Sequence, residues 1–190
     1  TQRLLYETEQ RNAQLAVINS VQSALAAELS IDGIYQAVGD KIHEIFHTAD
    51  IGIRIYDPAT DLVRFPYYFK DGHPLALEPT PLREAALTRH VLEIRRTLVF
   101  NEGLAEFARS LGSAVIGADY EKSSVFVPLI VGDRAWGVLN LLDMHREHAF
   151  SASDVRLLET LAASMSVALE NARLFDETQR LLKETEQRNA

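Results

Sequence analysis

The chain has 190 residues, 47% of them apolar and 24% charged, which suits one globular domain with extensions rather than a disordered segment. Its net charge is −8, so a nucleic-acid backbone or an anionic membrane offers it no counterion-release gain. It has no cysteine, which excludes disulfides, Cys-zinc sites, thiol catalysis and thioether-linked chromophores, and no apolar run reaches the ~18 residues of a membrane span.

The chain begins with TQRLLYETEQRNA, residues 1–13, and closes with TQRLLKETEQRNA, residues 178–190. Only Tyr6 and Lys183 differ. Either a copy has been appended, or a longer parent chain repeats the whole unit and residues 1–13 and 178–190 are equivalent linkers. The second reading, together with a start at Thr1 rather than Met, makes this chain a fragment of an array. Both flanks read as helix. Leu4, Arg11, Ile18 and Leu25 share a seam with Leu15, Gln22 and Leu29, and polar residues interrupt it.

Residues 31–47 follow as a short helix, with Ile34, Val38, Ile42, Ile45 and Phe46 on one face and Ser30 or Asp32 to cap it. The period then drops to two. Ile51, Ile53 and Ile55 alternate with Gly52, Arg54 and Tyr56, and Val63, Phe65, Tyr67 and Phe69 alternate again, so 51–69 is a hairpin turning at 57–61. Residues 75–81 form a proline-rich loop, 83–95 a helix, 98–100 a short strand, and a helix lies near 104–111. A second hairpin runs from Ser124 to Val131 and from Ala135 to Leu142 around Gly132-Asp133.

From Asp154 to Ala190 there is neither Gly nor Pro, and Ser151 or Ser153 can cap a helix there. Leu158, Leu161, Met165, Ala168, Ala172, Phe175 and Leu182 trace a heptad seam, broken by Gln179. That seam is the expected interface of a parallel homodimer, although Ser151–Asn171 is also expected to pack on its own domain. Joined to a following copy of residues 14–30, the helix would have about 54 residues and a length of about 80 Å, too long for one such domain to bury. Two hairpins with helices at both ends and between them give an α+β fold with an antiparallel sheet.

VPLIVGDRAWGVLNLLD, Val127–Asp143, followed by AFSASDVRLLETLAASMSVALENARLFDE, Ala149–Glu177, resembles the last hairpin and closing helix of GAF domains. LTRHVLEIRRTLVFNE, Leu87–Glu102, resembles their middle helix and next strand, departing at Arg89 and at Arg95-Arg96, where glycines are common. The resemblance covers residues 20–175, and the bracketing repeat resembles GAF arrays of bacterial sensor kinases and nucleotide cyclases. It implies a sheet of about six strands. Terminal helices would pack on one face and extend as coiled-coil linkers over 1–19 and 176–190. A small-molecule pocket would lie on the other face. It also implies a non-catalytic sensory module of a cytoplasmic signalling protein, with neighbouring GAF repeats and a C-terminal output domain, kinase or cyclase, in the parent chain. A ligand-free dimerisation spacer is the alternative.

Phe69 and Lys70, at the end of the first hairpin, resemble the family's ligand-contacting positions. Leu87, Thr88 and His90 on the middle helix, and Tyr120, Ser123, Phe126 and Asn140 around the second hairpin, complete a set of apolar walls with a few polar groups. Core packing, surface exposure or structural hydrogen bonds are the competing roles of these residues. No cofactor is fixed. The missing cysteine removes covalent bilin attachment and the thiol-dependent methionine-sulfoxide-reductase members. No spread NKFDE-type pattern supports cyclic AMP or GMP, which stay open. His43-Glu44-Ile45-Phe46-His47 matches the zinc-protease pattern H-E-x-x-H, but no helix with a third ligand follows. Zinc hydrolysis is the remote alternative, and no catalytic set or metal site is assigned.

Overall fold

The computed structural model describes residues 2–28, 30–47, 49–112 and 121–189. In chain order the elements are α1 (Gln2–Ala27), α2 (Ile31–Ile45), β1 (Asp50–Asp57), β2 (Leu62–Lys70), β3 (His73–Pro74), β4 (Thr80–Pro81), α3 (Ala86–Ile94), β5 (Leu98–Phe100), α4 (Leu104–Ser110), β6 (Ser123–Val131), β7 (Arg134–Asp143) and α5 (Ala152–Asn189). The strands form one antiparallel sheet in the order β3-β2-β1-β7-β6-β5, with β4 also pairing with β2. The two hairpins therefore meet along β1 and β7 at the sheet centre. Among the described residues the count of seven exceeds the expected six because residues 73–81 contribute two strands of two residues each. Both contain proline, and neither is long enough to show a period of two.

Each face of the sheet is covered. On one face Ile51, Ile53 and Ile55 of β1, Val125, Val127 and Leu129 of β6, and Leu139 and Leu141 of β7 form a core with α1, α2 and α5. Helix α2 begins at Ser30, whose Oγ accepts the Gly33 N–H at 3.0 Å, and it turns Ile34, Val38 and Ile42 inward. Helix α5 starts with a reciprocal cap: Ser151 Oγ accepts the Asp154 N–H at 3.1 Å, and Asp154 Oδ2 accepts the Ser151 N–H at 2.8 Å. On the other face, Val91 of α3 and Leu104 of α4 pack with Phe126, Val138 and Leu142 of the sheet.

The register shifts between Ile53 and Ile55, which pair with Tyr67 and Arg64. This bulge falls on β2 at Phe65-Pro66, where proline has no N–H to give to the ladder. It changes which residues share a face. Val63 pairs with Tyr56, whereas Tyr67 and Phe69 point to the α2 side. The simple alternation expected from Val63 through Phe69 does not survive it.

Helices α1 and α5 run side by side in the same direction. Gln14 hydrogen-bonds Ser153 near the start of α5, and Leu25 and Ala26 line one groove with Ala168, Ala172 and Phe175 further along it. Every residue from Gln2 to Ala13 and from Arg173 to Arg188 is exposed, so opposite ends of the helix pair project past the domain. Leu158, Leu161 and Met165 are fully buried against the sheet. This corrects part of the expected dimer seam, because a side chain enclosed in its own core has no surface for a second copy. Ala168 is half-buried and Ala172 is buried, whereas Phe175 and Leu182 are each 53% exposed. No described helix is long and apolar enough to cross a membrane.

Candidate ligand site beneath α3

Strand geometry decides which side chains meet under α3. On β7, Val138, Asn140 and Leu142 point to that face; on β6, Ser124 and Phe126 do; on β1, Gly52 and Arg54 do. Asn140 stands opposite Gly52 on one side and Phe126 on the other. Arg54 and Ser124 are two of its diagonal neighbours, each two residues along from one of those partners. Gly52 leaves room that Asn140 and Tyr68 fill, since a methyl group there would stand 2.6 Å from Asn140 Oδ1 and 2.9 Å from Tyr68 Cε2.

The polar groups of this face are under-satisfied. Asn140 is 0% exposed, and neither Oδ1 nor Nδ2 has a hydrogen-bond partner. Ser124, also fully buried, has an unpartnered Oγ, and Arg54 has an unpartnered Nε. Six such atoms occur among the described residues, and four of them lie in these three side chains. A buried amide without partners costs about 1–3 kcal/mol, so such a concentration calls for an explanation. Arg54 is held from two sides. Its Nη1 donates to Thr88 Oγ1 of α3 at 3.0 Å, and its guanidinium lies 5.6 Å from the centre of the Phe126 ring. Burial pulls its pKa below the usual arginine value, countered by Tyr68 and Glu121. Burial likewise raises the Tyr68 phenol, with Arg54 opposing it.

The residues expected from sequence divide. Thr88, Phe126 and Asn140 meet on this face, and Leu87 packs beside them. His90, half-buried, lies edge-on to Phe107 of α4 at 5.4 Å and belongs to the junction of the two helices. Phe69 is a correction. It points to the opposite face, 4.2 Å from His43 and stacked on Tyr67, because the bulge turns the end of β2 over. Ser123 is another. Its Oγ donates to the Arg146 carbonyl at 2.7 Å and accepts the Ala149 N–H at 3.3 Å, which fastens the β7–α5 loop. Beside it, Asp143 anchors the same loop. Burial works against its charge, but the N–H groups of His145 and Arg146 and the Arg146 side chain outweigh that and hold its carboxyl below the usual range. Lys70 is exposed at the tip of β2, and Tyr120 lies outside the described residues.

Arg54, Gly52, Tyr68 and Ser124 were missed by sequence reasoning. In an Ile-Arg-Ile alternation the arginine reads as a solvent-facing residue. The available signal was the helices predicted between the hairpins, which imply that the second face is covered too. The HEIFH segment forms no helical histidine pair. Helix α2 ends at Ile45, leaving His47 exposed beyond it while His43 rests on Phe69. No group of three metal-ligating side chains occurs among the described residues.

The sheet order and helix placement match a known family. The family model described as GAF domain aligns with residues 28–170, three-quarters of the chain. The chain belongs to the GAF domain family. It is 26% identical over 172 residues to the formate hydrogenlyase transcriptional activator FhlA of Escherichia coli (strain K12), covering 87% of this chain and 24% of that one. The chain thus spans about a quarter of that relative. The GAF domain of an Acinetobacter phosphoenolpyruvate-protein phosphotransferase superposes with a TM-score of 0.69 at 16% identity, over 86% of this chain and 96% of that one. A free methionine-R-sulfoxide reductase from Neisseria meningitidis, solved with its substrate, gives 0.67 at 19% identity, over 85% and 90%. These two establish the fold alone. They also show that the GAF fold serves an enzyme as well as a phosphotransferase domain, so activity must be argued from residues.

Proposed function

We propose that this GAF domain is a non-catalytic sensory and regulatory module of a cytoplasmic signalling protein, taking a small molecule beneath α3. One observation carries the reading: Asn140, at the centre of the sheet, is fully buried with both amide atoms unpartnered. A ligand that satisfied them would recover a cost the unliganded fold bears. Arg54 and Ser124 on the same face, with apolar Leu87, Val91 and Phe126 around them, supply the apolar walls and few placed polar groups of a binding site. Similarity to a transcriptional activator supports a regulatory role. The absence of any cysteine leaves no thiol for chemistry of the reductase kind.

The site would speak to the rest of a larger protein through α1 and α5. Their projecting ends carry near-identical sequences, which supports a parent chain with repeated GAF units, parallel dimeric linkers and a kinase or cyclase as output domain. No nucleic acid or membrane contact is assigned to this segment. A thermal-unfolding screen against nucleotides and metabolites tests the sensory reading. A ligand at a hundred times its Kd should add about 2.7 kcal/mol of stability. Stability unchanged across the whole panel favours the second reading, a ligand-free dimerisation spacer. The close packing of Asn140 and Tyr68 against Gly52 is the feature that favours it.

A further inference from the structure

We infer that the site beneath α3 takes a compact carboxylate bearing a neighbouring hydroxyl, held between Arg54 and Asn140. This rests on the reading of that face as a ligand site and names the chemical class that fits it. Arg54 contributes the charge. Thr88 occupies Nη1 and fixes the guanidinium, while Nε stays without an acceptor. The charges of Tyr68 and Glu121 also act on this cation, and neither occupies Nε. A buried cationic donor is matched best by an anionic oxygen, and a planar carboxylate suits the edge of a guanidinium.

Asn140 supplies the second half of the pattern. Nδ2 can donate to a carboxylate oxygen, and Oδ1 needs a donor from the ligand. A hydroxyl on the carbon next to the carboxylate answers both demands at once. Ser124 Oγ, on the other diagonal, can donate or accept at the far end of the same short row. Size is limited by the close approach of Asn140 and Tyr68 over Gly52, which favours a ligand of few atoms. A ligand of about five heavy atoms binds no more tightly than about micromolar, so the interaction is one to titrate rather than to isolate.

The test uses the whole 190-residue chain and its Asn140 side-chain amide signal in a nitrogen-15 NMR titration. The probes are glycolate, lactate, acetate, the neutral isostere glycolamide and inorganic phosphate. Glycolate and lactate should move the Asn140 amide saturably, and glycolamide should bind at least about tenfold more weakly. Arg54→Met should remove that preference, and Asn140→Asp, which keeps the size, adds a repelling charge and has no side-chain amide of its own, should abolish the glycolate-induced shifts of the neighbouring backbone amides. Backbone spectra of both variants check that they fold. Glycolamide binding as tightly as glycolate, or phosphate binding more tightly, overturns the carboxylate class while leaving the ligand site standing. An Asn140 amide unmoved by every probe overturns the inference, and the metabolite screen then decides the site by itself.

Discussion

At the scale of single residues, Asn140 bears a cost that the chain could avoid. Its strand neighbours Leu139 and Leu141 are fully buried on the face covered by α1, α2 and α5, and Asn140 is as deeply buried on the other, with no partner for its amide. Leucine has the same branched side chain of four heavy atoms, bulkier at its two methyl groups, and no polar atoms to leave unpaired. Asn140→Leu is therefore expected to raise the unfolding free energy by about 1–2 kcal/mol, read as a higher denaturant midpoint at unchanged m-value. A lower midpoint would mean that the amide is already satisfied in solution, and the case for a ligand would weaken with it. Stability gained at the expense of binding is the usual signature of a functional polar group. Asn140 stood out in the sequence as a polar residue within an apolar strand. Arg54 did not, since charge alternating with isoleucine looks the same on a wet face as on a covered one.

At the scale of elements, the ends and turns were the most readable parts. Ser30 and Ser151 announced two helices, and both accept the N–H three residues on. Ser151→Ala removes the acceptor for Asp154 N–H and the hydroxyl that donates to Asp154 Oδ2, and should cost about 1 kcal/mol. Equilibrium urea unfolding measures it, and a change below a few tenths would show that the cap adds nothing beyond the packing of α5. Both hairpins also fell close to their expected bounds, because the switch from period 3.6 to period two is sharp at Ile51 and at Ser124. What stayed hidden was the bulge. Pro66 inside a strand was the one local signal of it, and the consequence, Phe69 turned toward α2, needs the pairing partner to be known. Strands β3 and β4 were illegible for a different reason: two residues around proline carry no pattern, and pairing with β2 alone defines them.

At the scale of the whole molecule, α5 has 38 residues and a length of about 57 Å, but its burial ends at Ala172. Beyond it Leu174, Phe175, Leu181 and Leu182 are exposed, as are Leu4, Leu5 and Tyr6 at the far end of α1. Single exposed apolar residues need no partner; a row of them on a helix with no domain beneath it suits the proposed parallel dimer. Removing residues 1–13 and 176–190 should leave the α+β core folded and weaken self-association at least about tenfold, as followed by analytical ultracentrifugation. A truncated form that remains fully dimeric would shift the interface to the groove between α1 and α5, where Leu25, Val167 and Ala168 meet. The sequence carried the seam but not its division, since burial against the sheet and exposure beyond Ala172 repeat the same leucine spacing.

The shared direction of α1 and α5 has a consequence for how such a unit can be copied. The chain leaves the domain with the heading it had on arrival, like a bead threaded on a rod rather than a loop that doubles back. Adding or losing one whole unit would lengthen the rod and turn it by a fixed angle, while everything downstream kept its polarity. A near-identical thirteen-residue stretch at both ends is what the proposed array would use as its joint.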